Sequence, residues 1–92
     1  MSDVHRAIIF RGQVQGVGFR WTTARVAAGF AVRGWVRNEP DGSVRCEVAG
    51  SADEVEAFLA EVSDTLAGHI TACDDAVDLE GALPGQGFDI RR

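Results

Sequence analysis

The residue types best suited to chemistry lie in one short segment, Gly12 to Arg20, which reads GQVQGVGFR. Its three glycines allow the backbone to curl without Cβ clashes. Successive N–H groups in such a curl can point into one concavity and bind an anion. Arg20 adds a permanent cation whose planar guanidinium fits phosphate oxygens. The segment therefore predicts a phosphate-binding site, and a plain glycine-containing turn is the alternative interpretation.

The flanking residues predict a strand before this segment and a helix after it. Residues 5–11 are rich in Ile and Phe, which is typical of strands. Residues 20–28 contain Ala and Thr but no Gly or Pro, and Gly29 follows where a helix C′ residue is expected. One face of this helix comprises Phe19, Thr23, Val26, Ala27 and Phe30. Because the first N–H groups of a helix carry positive partial charge, the helix start strengthens the predicted anion site.

The next stretch predicts a β-hairpin. Residues 32–38 and 43–49 each alternate in side-chain character, which is the period of a strand. The residues between them, 39–42, read EPDG and form a turn readily, because Pro fixes φ and Gly tolerates a positive φ. Two strands joined in this way pair as neighbours in a sheet.

The clearest helix is predicted over residues 51–66. Ser51 and Glu54 have the spacing of a capping box, and such a cap typically contributes about 1 kcal/mol. The apolar stripe that would face a sheet comprises Val55, Phe58, Leu59, Val62 and Leu66.

The end of the chain predicts a less regular strand over residues 70–80, a loop over 81–87 and a short strand over 88–91. The order βαββαβ with a terminal strand predicts an α+β, ferredoxin-like fold, in which an antiparallel sheet carries two helices on one face. The length of 92 residues predicts a single domain over residues 1–92.

Three motifs in this order resemble those of the acylphosphatase family. Residues 14–20, VQGVGFR, are similar to its signature loop, and residues 34–38, GWVRN, with 40–44, PDGSV, are similar to its second signature. Residues 88–91, FDIR, are similar to its closing motif. The order and spacing of all three agree, and the resemblance spans nearly the whole chain.

The resemblance implies a metal-independent hydrolase of acyl phosphates that needs no cofactor. Arg20 would bind the phosphate, and Asn38 would hold the attacking water through its side-chain amide. The backbone N–H groups that would cradle the phosphoryl oxygens belong to Gln15, Gly16, Val17, Gly18, Phe19 and Arg20. A non-catalytic module that binds phosphate or carbamoyl phosphate on the same fold is the alternative.

The chemistry of an acyl phosphate suits these residues. Its carboxylate is a good leaving group, so the protein has mainly to position water and neutralise phosphoryl charge. A neutral Asn suits positioning because its amide both accepts and donates hydrogen bonds. Glu39 would repel the phosphate unless it points to solvent or pairs with an Arg, and strand alternation is expected to turn its side chain away from that of Asn38.

Composition argues against several other functions. The net charge is −5, which disfavours nucleic-acid binding. The first 46 residues hold seven Arg and three acids, and the remaining residues hold two Arg and eleven acids, an asymmetry that folding could intermix. His5 and His69 lack neighbouring ligands, and the acidic run Asp74, Asp75 and Asp78 is interpreted as a solvated strand edge, so no metal site is predicted.

The remaining features predict a cytoplasmic monomer that acts on a small molecule, with no nucleic-acid or membrane partner. No apolar run approaches the ~20 residues that cross a bilayer, and the first residues lack a secretory signal. Cys46 and Cys73 are expected to be buried or partly buried thiols. Trp35 is expected to pack beside the site, and Trp21 to be partly exposed.

Overall fold

A computed structural model of the chain describes residues 3–80 and 82–92, and these form one sheet with two helices. The elements in chain order are β1 (Asp3–Gly12), α1 (Phe19–Ala27), β2 (Val32–Asn38), β3 (Val44–Ser51), α2 (Ala52–Thr65), a 3-10 turn (Ala67–His69), β4 (Ile70–Ala76) and β5 (Phe88–Arg91). The predicted α+β architecture is confirmed.

The sheet has five strands in the order β4-β1-β3-β2-β5. Three neighbouring pairs are antiparallel, as predicted, but β2 and β5 run parallel, so the sheet is mixed. The reason is the connection from β4, which starts at one edge of the sheet and delivers β5 to the opposite edge. This pairing places Ile90 beside Val36 and Arg91 beside Arg37.

The core lies between the sheet and the two helices. From β3, the side chains of Val44, Cys46 and Val48 are fully buried there, and α2 contributes the predicted stripe. The N-cap is also as predicted, because Ser51 Oγ accepts a hydrogen bond from Glu54 N at 3.3 Å. Glu54 does not complete a capping box, since its carboxylate accepts from Ala31 N at 2.7 Å and joins α2 to the start of β2.

The predicted strand over residues 70–80 ends at Ala76, earlier than expected. From Val77 the chain leaves β1 and crosses the sheet face opposite the helices toward β5. We call residues 77–80 and 82–87 the crossing segment. Its contacts with that face include Glu80 N to Glu47 Oε2 at 2.7 Å and Arg33 Nη1 to Pro84 O at 3.2 Å. Contacts with charged side chains of this face thus replace the strand that the sequence predicted for residues 77–80.

A buried carboxylate anchors the crossing segment. Glu47 is fully buried on the face opposite the helices, where it accepts hydrogen bonds from His5 Nε2 at 3.1 Å and Arg45 Nε at 2.9 Å as well as from Glu80 N. Arg45 in turn donates to Asp78 O. The sheet face opposite the helices is therefore also covered, by the crossing segment, through polar contacts.

Two predictions about single residues turn out differently. Cys46 is buried, as expected, but Cys73 is exposed because it lies on the edge strand β4. Asp74 and Asp75 lie exposed on that strand, as predicted for a solvated edge, whereas Asp78 falls in the crossing segment.

Candidate active site

The loop between β1 and α1 is fixed at its first residues. Gly12 has φ +128°, and a Cβ there would lie 2.4 Å from His69 O. Gln13 N donates to the same carbonyl at 2.8 Å, and the side chain of Val14 is buried in the core. The loop therefore begins from a position that the 3-10 turn and the core both hold.

The second half of the loop presents free backbone donors. Gly16 and Gly18 have φ of +79° and +75°, which favours glycine at both positions. Gly18 is the N-cap of α1 and supplies no side-chain cap. Within residues 3–80 and 82–92, no acceptor receives a hydrogen bond from the N–H groups of residues 15–20. Such donors at a helix start are suited to an anion.

Arg20 is oriented by the last strand and carries no neutralising partner. Its Nη1 donates to Arg91 O at 3.0 Å. Among the residues that the structure describes, no carboxylate lies within 4.0 Å of the Arg20 guanidinium nitrogens. The guanidinium is thus held in place while its charge stays available.

Asn38 ends β2 on the same side of the sheet as Val36, which faces the helices. A cavity of about 240 Å³ opens between this strand end, the loop and the start of α1. Its lining residues are Val14, Gly16, Gly18, Phe19, Arg20, Trp21, Asn38 and Ile90. The structure therefore brings Arg20 and Asn38 to one cavity, together with three of the other predicted loop residues. Gln15 and Val17 belong to the same loop but do not line the cavity.

The chain is similar to known proteins in both sequence and fold. Residues 6–90 match the family model of acylphosphatase. The chain belongs to the acylphosphatase family. An acylphosphatase from Methanospirillum hungatei is 38% identical over 86 residues, which cover 94% of each chain. One from Nitrobacter hamburgensis is 55% identical over 60 residues, which cover 65% of this chain and 61% of that protein.

A solved structure agrees with this family assignment. The crystal structure of an acylphosphatase from Bacillus subtilis has a TM-score of 0.73 to this chain at 28% identity, and the match covers 96% of this chain and 98% of that one. The similarity thus extends over nearly the whole chain.

In this member of the acylphosphatase family, the side chain of Gln15 makes two hydrogen bonds that the sequence did not predict. Its Nε2 donates to Glu39 O at 2.7 Å and to Ser43 O at 2.9 Å. The loop between β1 and α1 is therefore tied to the hairpin turn that follows Asn38. No local pattern signals this contact, because it depends on how the turn and the loop meet in the fold.

Glu39 does not face the cavity. Its Oε1 accepts from Arg37 Nη2 at 2.8 Å on the opposite side of β2 from Asn38, which is one of the two outcomes expected from the sequence. The hydrogen bonds that Arg37 donates to Glu39 and then to Glu80 raise the pKa of Arg37. The bond to Arg37 also lowers the pKa of Glu80. The charge of the Glu39 carboxylate, next to Asn38, is therefore offset by the guanidinium of Arg37.

The two tryptophans occupy different sides of the sheet. Trp21 is exposed, as predicted, and lines the cavity. Trp35 is fully buried on the opposite face, with the guanidinium carbons of Arg37 and Arg91 at 4.9 Å and 4.8 Å from its ring centroid. Trp35 was expected beside the site but does not line the cavity; it contacts Arg91, whose carbonyl oxygen accepts a hydrogen bond from Arg20.

Residues 3–80 and 82–92 hold no group of three or more His, Cys, Asp or Glu side chains placed to bind a metal ion. In the same residues, neither helix has the length and apolar character that crossing a membrane requires.

Proposed function

We propose that this protein hydrolyses acyl phosphates to a carboxylate and inorganic phosphate. The observation that carries the proposal is the shared cavity, in which an uncompensated Arg20, a helix start with free N–H groups and the amide of Asn38 converge. An anion binds at Arg20 and the helix start, and the neutral amide of Asn38 lies beside it. Family membership supports the same reaction.

The phosphoryl group would bind against the loop. Backbone N–H groups of residues 15–20 donate to its oxygens, and Arg20 donates through its planar guanidinium. The positive φ angles that Gly16 and Gly18 permit curl the loop, and Arg91 O orients the guanidinium, so these donors already surround one space in the free protein. Donors that need not reorganise stabilise developing phosphoryl charge most effectively.

Asn38 would place the attacking water. Its side-chain carbonyl accepts from the water, and the water oxygen forms the new bond to phosphorus while the bond from phosphorus to the acyl oxygen breaks. The carboxylate leaves with the electron pair of that bond. Apart from Arg20, the side chains that line the cavity have no ionisable group, so the water proton passes to a phosphoryl oxygen.

The alternative is a module that binds phosphate or carbamoyl phosphate without turnover. It would use the same loop and Arg20, so binding alone does not distinguish the two functions. Turnover does, because the alternative assigns no catalytic role to Asn38.

The test measures hydrolysis of benzoyl phosphate by the purified protein with excess chelator, together with inhibition by inorganic phosphate. We expect hydrolysis above the buffer rate, and inhibition that Arg20→Ala weakens by about 10²-fold. Arg20→Lys should restore inhibition only in part, because Lys keeps the charge without the planar fork. Arg6→Ala removes the same charge from β1, where Arg6 pairs with Asp75 of β4, and serves as the control.

The outcomes separate the two functions. Phosphate binding without hydrolysis would favour the non-catalytic module. If Arg20→Ala matched the wild type in both measurements, the proposed phosphate site would be wrong.

A further inference from the structure

Two exposed apolar side chains line the cavity. Trp21 on α1 and Ile90 on β5 are 61% and 46% exposed. Arg20 and Asn38 line the same cavity. Single exposed apolar residues are common on proteins. Two of them from separate elements, in one cavity with an arginine and an asparagine, call for a ligand with an apolar part.

The polar groups of the cavity account for the phosphoryl group and the water, but not for the acyl group of the substrate. Arg20 and the loop take the phosphoryl group, and Asn38 takes the water. In an in-line displacement the leaving acyl group lies opposite the water. Val14 and Phe19 also line the cavity but are buried in the core, so Trp21 and Ile90 are the exposed lining side chains that remain, and neither offers a charge to an acyl group.

We propose that Trp21 and Ile90 form a subsite for the acyl group and that the preferred substrates are acyl phosphates with an apolar or aromatic acyl part. This inference rests on the proposed function. A planar ring packs well against an indole, and such contacts contribute beyond the area they bury. A small acyl group, such as acetyl, reaches fewer of these atoms.

The indole of Trp21 is partly restrained before a substrate binds. Arg25 lies one helical turn further along α1, and its guanidinium carbon is 5.4 Å from the Trp21 ring centroid. Arg25 does not line the cavity. The contact therefore restricts the ring without supplying a charge to the cavity, and the subsite selects by shape and apolar surface.

The test compares kcat/KM for benzoyl phosphate with kcat/KM for acetyl phosphate. The wild type should prefer benzoyl phosphate. Trp21→Ala should lower the ratio of the two values roughly threefold to tenfold, the range expected for one aromatic contact. Ile90→Ala should lower it in the same direction, and Trp21→Phe should retain most of it.

Two controls accompany these variants. Leu79→Ala removes an apolar side chain of the crossing segment that is 49% exposed and does not line the cavity, so its ratio should match the wild type. Inhibition by inorganic phosphate, which has no acyl part, should be the same in Trp21→Ala as in the wild type.

The outcomes for the subsite and for the proposed function are distinguishable. If Trp21→Ala and Ile90→Ala hydrolyse both substrates with the wild-type ratio, the subsite is refuted and the proposed function stands. If the wild type hydrolyses neither substrate, the proposed function fails, and the subsite fails with it.

Discussion

Gln15 contributes more than its backbone N–H to the proposed site. Its side-chain amide bridges Glu39 O and Ser43 O, the two carbonyls that flank the hairpin turn. The turn itself is closed by Glu39 N to Ser43 O at 2.8 Å. Because Asn38 directly precedes this turn, the bridge from Gln15 sets the distance between the phosphate loop and the proposed water site.

Replacing Gln15 with Ala should therefore lower kcat for benzoyl phosphate by roughly tenfold, because loss of the bridge lets Asn38 shift from its position. The inhibition constant for inorganic phosphate should change less than kcat, since the backbone donors remain. Gln13→Ala is the matched control, because that side chain is exposed in the same loop and only its backbone N–H makes a described contact. Equal kcat in the two variants would contradict a positioning role for Gln15.

The residue types at the site could be predicted from the sequence, but several of its contacts could not. The glycines and Arg20 are visible because backbone curvature and fixed charge depend on local residue type. The bridge from Gln15 and the bond from Arg20 to Arg91 O join residues far apart in the chain. Ile90 reaches the cavity only because β5 pairs with β2 in parallel.

Among the elements, β3 supports two different layers. Its buried apolar side chains pack under the helices, while Glu47 and Arg45 on the other face hold the crossing segment. The crossing segment leads directly into β5, whose Arg91 O orients Arg20. The crossing segment therefore links the stability of the polar sheet face to the position of Arg20 at the proposed site.

Glu47→Ala should reduce the free energy of unfolding by about 1–3 kcal/mol, because it removes the buried acceptor for Arg45 Nε and Glu80 N, while Glu80 stays paired with Arg45. Urea denaturation would measure the change. Glu56→Ala provides the control, since its side chain is 71% exposed where it pairs with Arg6 and should contribute about 0–1 kcal/mol. A loss from Glu47→Ala no larger than that control would show that the buried network contributes little stability.

The helices were predictable because their signals are local. The N-cap Ser51 and the apolar stripe place α2 at Ala52–Thr65, close to the predicted 51–66. The end of β4 and the parallel partner of β5 were not predictable in this way. Both depend on carboxylates of the crossing segment meeting arginines of β2 and β3, such as Glu80 with Arg37 and Arg45.

In the whole molecule, folding intermixes the charges of the two halves and offsets part of the charge asymmetry of the sequence. Arginines from the first half pair with acids from the second half, as in Arg6 with Asp75, Arg11 with Asp74 and Arg37 with Glu80. Arg20 lies outside these pairs. Folding thus neutralises much of the basic half and leaves one oriented cation beside the cavity. The monomeric state and the cytoplasmic location stay predictions.

The proposed reaction requires groups from three parts of the chain: the loop with Arg20, the end of β2 with Asn38, and the end of β5. Anion binding needs only the first and last of these, and turnover needs all three. Asn38 therefore separates a phosphate-binding protein from a hydrolase more directly than any other residue of the cavity.

The most direct test compares wild type with Asn38→Ala in benzoyl phosphate hydrolysis with excess chelator, alongside the affinity for inorganic phosphate. We predict hydrolysis by the wild type, a loss of about 10²–10³-fold in kcat for Asn38→Ala, and unchanged phosphate affinity. A variant that retains the wild-type kcat would contradict the role of Asn38, and a wild type that binds phosphate but does not turn over would contradict the proposed activity.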